Sequence, residues 1–254
     1  MLIRPSQFQR LEDESIRRFE NEMVAHLNDF ARRHCEVIGE DGVRQVIRLG
    51  FENCEQYDFT MQGPVRFFIE LMFMFGSYFD TDIQYPWVAG ALTDPLLTGE
   101  LFRADNLHDK MTDYLSEVAG AENIYTKRAL RETQRMASET VAQTSLDLRG
   151  ELMPRLKKVY PEKCEWLGEE RLMAVLEGGV SVAQTAGITS VVGLRLFAVL
   201  AFALGHRFHE DPLYPWIAST MNHPTITDPN IRASRLQEKT SLYLDRVLVY
   251  LETD

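Results

Sequence analysis

Apolar residues recur at helical spacing along most of this chain. Phe8, Leu11, Phe19, Met23, Leu27 and Phe30 are separated by three, four or sums of the two, which predicts an amphipathic helix, or two in line, from about Ser6 to His34. Asp41 suits an N-cap, where its carboxylate can accept from the open amides of a first turn. Behind it, Val43, Val46, Ile47 and Phe51 share one face of a second helix. Thr60 and Pro64 open a third, since proline at the first turn loses no hydrogen bond. Its run from Phe67 to Phe75 is apolar nearly all round, as in the central helix of a bundle, and Gly76 closes it as a left-handed residue. Phe79 to Tyr85 reads as a loop and Pro86-Trp87 as the start of a short helix. Asn106 to Val118 forms a closing helix with Leu107, Met111, Tyr114, Leu115 and Val118 on its core side. The same order is predicted again from about Leu146 to Leu251. The segment between them, Ala121 to Leu148, is polar and predicts a solvent-washed helical connector. No alternating run reaches strand length, so the expected class is all-α.

The second half repeats the first in spelling as well as in pattern. Gly76, Phe79, Asp82, Tyr85, Pro86 and Trp87 return as Gly205, Phe208, Asp211, Tyr214, Pro215 and Trp216, a skeleton G-x-x-F-x-x-D-x-x-Y-P-W at an offset of 129 residues. The same offset aligns Cys35-Glu36 with Cys164-Glu165, Arg66 with Arg195, Phe68 with Phe197, Lys110 with Lys239, and Tyr114-Leu115 with Tyr243-Leu244. The expected fold is a tandem duplication of a helical unit of roughly 100 residues forming a pseudo-two-fold bundle. Its parts are a first repeat over 1–119, a polar helical connector over 120–145 and a second repeat over 146–254. Residues kept in both copies are expected to be scaffold, and specificity is expected where the copies differ.

Charge narrows the partners. With 27 Lys and Arg against 38 Asp and Glu, the net charge is −11. Nucleic acid and anionic membrane surfaces are therefore unsuited as partners, whereas a basic protein would suit. The apolar run Leu196–Leu204 is too short for a span of about 20 residues and reads as core. The N-terminal stretch has no apolar segment resembling a signal peptide, so a cytoplasmic location is expected. Cys35, Cys54 and Cys164 fit neither a disulfide framework nor a metal pattern and read as small buried thiols.

Several residues carry chemistry without forming a recognised constellation. Asp80-Thr81-Asp82 resembles a metal–nucleotide DxD, but the duplicate spells His209-Glu210-Asp211, so only the last aspartate is common to both. An aspartate ahead of Tyr-Pro is also well placed to bond nearby backbone amides in a loop. His206, His209, Glu210 and Asp211 have metal-ligand residue types at a spacing that fits no common zinc pattern. Glu70 interrupts the most apolar helix one turn after Arg66, an i, i+4 pair, and its counterpart is Val199. Trp87 and Trp216 are expected to wedge the loop against the bundle. The residues left as partner-binding candidates are Glu70, Asp80, Thr81, His206, His209 and Glu210. No catalytic, cofactor or metal residue is assigned.

The stretch Phe68-Ile69-Glu70-Leu71-Met72-Phe73-Met74-Phe75-Gly76, followed by Phe79-Asp80-Thr81-Asp82 and Gln84-Tyr85-Pro86-Trp87, resembles a family of uncharacterised bacterial proteins. These are encoded in type VI secretion effector clusters, near PAAR-tip and toxin genes, and at least one is described as a co-chaperone that helps load a toxin onto the secretion tip. The second copy departs from the pattern, with His209-Glu210 in place of Asp-Thr and Pro212 in place of Ile83. The resemblance implies a cytoplasmic, non-enzymatic adaptor or co-chaperone for effector loading, whose partner is a chaperone, effector or toxin of the same cluster. Such clusters also encode immunity proteins, so neutralisation of a cognate toxin is the alternative. A reading of another class is an enzyme with an acidic site at Asp80 and Asp82, with Glu70 nearby. Self-association as a homodimer stays open.

Overall fold

The computed structural model describes residues 5–138 and 145–253, and among these the chain is helical with no strand. Helix α1 (Pro5–Phe30) sends Phe19, Met23, Val24 and Leu27 into the core. It stops short of His34 because Ala31 leaves helical geometry (φ −132°, ψ 43°), and the chain re-enters as α2 (Arg32–Glu55). The break within α2 falls at Gly39 (φ 70°, ψ 169°), which places Asp41 inside the following turns and not at a cap. Helix α3 (Gln62–Phe75) has Pro64 in its first turn and is central as expected, with Phe68, Ile69, Leu71 and Met72 fully buried.

After α3 comes a single short turn over Phe79–Thr81, then α4 (Pro86–Thr93) and α5 (Glu100–Val118). Helix α5 begins ahead of Asn106 because the Glu100 carboxylate accepts from the Thr60 and Met61 N–H groups at 2.7 and 2.8 Å, tying its first turn to the start of α3. Next come α6 (Ile124–Ser138), a wide turn over Leu148–Leu152, α7 (Met153–Val159) and α8 (Pro161–Thr185). The chain ends with α9 (Val191–Leu204), α10 (Pro215–Met221) and α11 (Pro229–Thr253).

Positions 129 residues apart adopt matching conformations. Helices α3 and α9 share both bounds at that offset, and α5 and α11 share their start. The break in α8 at Gly168 (φ 70°, ψ 168°) repeats that at Gly39. One continuous apolar core runs through both sets, and Tyr114 of α5 meets Trp166 of α8 edge-on at 5.3 Å.

Each Pro-Trp helix start is packed alike. Trp87 lies 5.8 Å from the Tyr114 ring and Trp216 stacks on Tyr243 at 5.4 Å, so each indole pins its short helix to the last helix of its half. Trp87→Ala and Trp216→Ala are each expected to lower unfolding free energy by about 2–4 kcal/mol in denaturant titration, since both indoles are half-buried. Two fully stable variants that had lost only partner binding would instead make the tryptophans contact residues.

Helix α6 is not washed by solvent all round. Ala129 is buried, Thr126 and Tyr160 share a hydroxyl hydrogen bond of 2.9 Å, and Arg128 pairs with Glu162. This face packs on α7 and α11. It is lined by small and polar residues, which is why it gives little apolar signal. Among the described residues, no helix is long and apolar enough to cross a membrane.

Candidate functional site

The loops carrying the repeated motif meet at the centre of the molecule, where α3 and α9 end. Asp211 reaches across to accept from the Ser77 backbone N–H at 2.9 Å and from the Ser77 hydroxyl at 2.6 Å. Asp82 reaches the other way to accept from the His206 backbone N–H at 2.9 Å. Each carboxylate also accepts from the backbone two residues on, Gln84 and Leu213 respectively, both at 2.9 Å. The crossing is tight enough to require the two glycines. A Cβ on Gly76 (φ 99°) would lie 3.1 Å from the Leu204 carbonyl, and one on Gly205 (φ 100°) would lie 3.2 Å from Asp82 Oδ2. Arg207 stacks on Tyr78 at 3.8 Å over the same seam.

The two clasps differ in electrostatics. Burial alone would raise the Asp82 carboxyl, but the His206 side chain, its backbone N–H and the Gln84 N–H together hold it below the ordinary carboxylate range. Asp211 faces Ser77 where Asp82 faces His206, and burial leaves its carboxyl raised. His206 Nδ1 lies 3.4 Å from Asp82 Oδ2, within ion-pairing distance but out of hydrogen-bond alignment.

Of the expected partner-binding residues, Thr81 meets His206 across the seam at 3.5 Å and His209 lies 3.5 Å from Glu210, while Glu70 does not join them. Asp80 is buried and accepts from the Tyr57 hydroxyl at 2.8 Å, with its second oxygen unbonded, and burial raises its carboxyl. Thr81 is exposed and donates to the Tyr78 carbonyl. Glu210 pairs with Arg207 at 2.6 Å, and burial lowers the half-buried His209 imidazole. Glu70 stands apart from this group. It bonds His26 of α1 at 2.6 Å, whereas Arg66, its expected i, i+4 partner, points outward. The counterpart Arg195 is buried and bonds Glu151 at 2.7 Å, so one arginine position serves two different purposes. Cys35, Cys54 and Cys164 are buried free thiols, with burial pushing Cys54 up to about 12. Among the described residues, no three His, Cys, Asp or Glu side chains gather as a metal set.

Two features had no place in the sequence reading. The first is a cavity of about 300 Å³ enclosed by α6, α7, α9 and α11, with Leu130, Leu156, Val199 and Leu244 among its apolar walls. Lys163 lines it from α8; its ammonium donates to the Phe202 carbonyl at 2.6 Å and sits 4.6 Å from that ring's centre. Burial draws its pKa down to about 8, opposed by the field of Asp82. At the matching positions of the first half, His26 and Glu70 replace Arg155 and Val199 and bond each other, and Phe67 packs on His108 at 5.8 Å.

No protein-family model, curated protein or solved structure matches this chain. Its function therefore has to be argued from its own surfaces.

The second feature is a patch on the first half. Met61, Leu96, Leu101 and Phe102 are all exposed, Leu96 at 86% and Phe102 at 66%. The bond from the Met61 N–H to Glu100 brings the start of α3 beside the start of α5, where Leu101 and Phe102 lie, with Leu96 in the loop that leads into α5. The positions 129 residues on are Ser190, Thr225, Asn230 and Ile231, largely polar. A difference between the halves is thus concentrated at a solvent-facing apolar surface.

Proposed function

We propose that this chain is a non-enzymatic protein-binding factor, an adaptor or co-chaperone for loading a type VI secretion effector. The observation that carries the binding role is the Met61–Leu96–Leu101–Phe102 patch, because apolar side chains gathered in water on one half and replaced by mostly polar ones on the other suit a contact surface. The eye-catching loop residues support the same reading, since Asp82, Asp211 and Ser77 spend their hydrogen bonds holding the two halves together. The secretion role rests on the resemblance of the Phe68–Trp87 segment, and the net charge of −11 suits a basic partner surface. We also infer that the halves are duplicated units related by a pseudo-two-fold axis. The matched helix bounds, the repeated break at Gly39 and Gly168 and the reciprocal aspartate clasps support this.

Affinity purification from the native host, with mass spectrometry of the bound proteins, tests the role. A chaperone or the delivery region of an effector is expected, and recovery of no secretion-cluster protein would overturn the reading. Tight capture of a toxic domain alone would move the assignment to immunity. Leu96→Asp with Phe102→Asp is expected to abolish capture while changing folding stability by no more than about 0.5 kcal/mol per site, since both side chains face water.

A further inference from the structure

The cavity between α6, α7, α9 and α11 has the wrong polarity for a mere packing defect in this protein. A dry packing void would be lined by apolar groups alone, yet Arg155, Lys163 and Arg195 all border this one. Among the described residues no acidic side chain lines it, in a chain where Asp and Glu outnumber Lys and Arg by 38 to 27. Arg195 is neutralised by Glu151 outside the lining. Lys163 is different. The residue is 6% exposed, and among the described residues its ammonium has a single carbonyl acceptor for three donors and no carboxylate pairs with it. A buried cation held only by the C-terminal end of α9 and an aromatic face is underpaired, and an anion brought into the cavity would complete it.

We propose that this cavity binds a single-chain amphiphile with a carboxylate head, the head pairing with Lys163 and the chain lying along Leu156, Val199 and Leu244. Size sets the chain length. With about 30 Å³ for each water-sized unit, the cavity of about 300 Å³ holds about ten such units, which suits a medium-chain carboxylate. The walls fix the rest of the preference, because Leu156, Val199 and Leu244 bring aliphatic side chains from three helices to the lining. Val199 stands where the first half has Glu70. A carboxylate there would both fill the space and repel the head, so the substitution between copies is what opens this site to an anion. The site lies between α6 of the connector and the second half, and none of the four patch residues of the first half lines it.

Isothermal titration of the full chain with decanoate, decanol and decylammonium, each below its micelle threshold, tests the assignment. Decanoate is expected to bind about tenfold or more tighter than decanol, the scale of one charge-assisted hydrogen bond, and decylammonium is expected not to bind. Lys163→Met should remove the preference for decanoate over decanol, and Val199→Glu should lower decanoate affinity at least about tenfold at unchanged melting temperature. Equal binding of the three probes, or a folded Lys163→Met that keeps the preference, would overturn the proposal. If Lys163→Met does not fold, Val199→Glu decides: unchanged decanoate affinity in that variant overturns it as well.

Discussion

Asp211→Ala is expected to destabilise the chain by about 3–5 kcal/mol in urea unfolding at neutral pH. The Ser77 N–H, the Ser77 hydroxyl and the Leu213 N–H all lose their acceptor in a buried seam. Each stranded donor costs about 1–3 kcal/mol, and water entering the gap relieves part of the sum. Asp82→Ala should fall in the same range, because it strands the His206 and Gln84 backbone N–H groups and leaves the Gln84 side-chain amide with the Ala201 carbonyl alone. A loss below about 1 kcal/mol in both would mean that the clasps contribute nothing measurable to joining the halves.

The asparagine variants should separate the two clasps. Asp82 titrates below its ordinary value of 3.8, so the stability it contributes is present above that value and is lost as pH falls through its folded pKa. Asp211 is raised above 3.8, so its contribution is fully present below that value and is lost as pH rises through its folded pKa. At neutral pH, Asp82→Asn should therefore cost more than Asp211→Asn, and His206→Ala should shrink the difference. An unchanged difference between the two asparagine variants in the wild-type and His206→Ala backgrounds would show that position 206 does not tune the clasp.

These clasps also mark where reading the sequence stops. The repeated Asp82 and Asp211 are recognisable as loop residues that bond backbone amides, and each does bond the amide two residues on. Nothing in the linear chain says that the second set of bonds crosses to residue 77 or 206, since that depends on α3 and α9 ending face to face. Helix class and the central position of α3 and α9 follow from runs that are apolar nearly all round, which only a helix surrounded by others can bury. Asp41 is not the cap because the non-helical residue is Gly39, so the segment restarts just after it and Asp41 lies within its first turn. The cavity was unreadable for a different reason: its lining comes from five helices, and its α6 wall is built from threonine and alanine as well as Leu130. Exposed Leu96 and Phe102 resemble core residues in composition, and only the solved packing shows them facing water.

Gly178 and Gly179 are neighbours on α8, yet alanine should act on them in opposite directions. A Cβ at Gly178 would meet nothing within 4 Å, and the residue is exposed in an α-helix. Gly178→Ala is therefore expected to stabilise by about 0.5–1 kcal/mol, through lower backbone entropy in the unfolded chain. A Cβ at Gly179 would stand 2.5 Å from the Phe197 carbonyl oxygen and 2.8 Å from the Ala198 Cα. Those are backbone atoms of α9, the helix most closely packed on α8, so relief requires prising the two helices apart. Gly179→Ala should cost about 3 kcal/mol or more, at or beyond the upper end of ordinary overpacking. The matching Gly50 on α2 provides the control. Its Cβ would come 2.6 Å from Ile69 Cγ1, a side-chain atom where Gly179 meets the backbone of another helix, so Gly50→Ala should cost less than Gly179→Ala. Chemical denaturation of the three single variants measures the order directly. A Gly179→Ala chain as stable as Gly50→Ala would mean that α8 and α9 are not held at this closest approach.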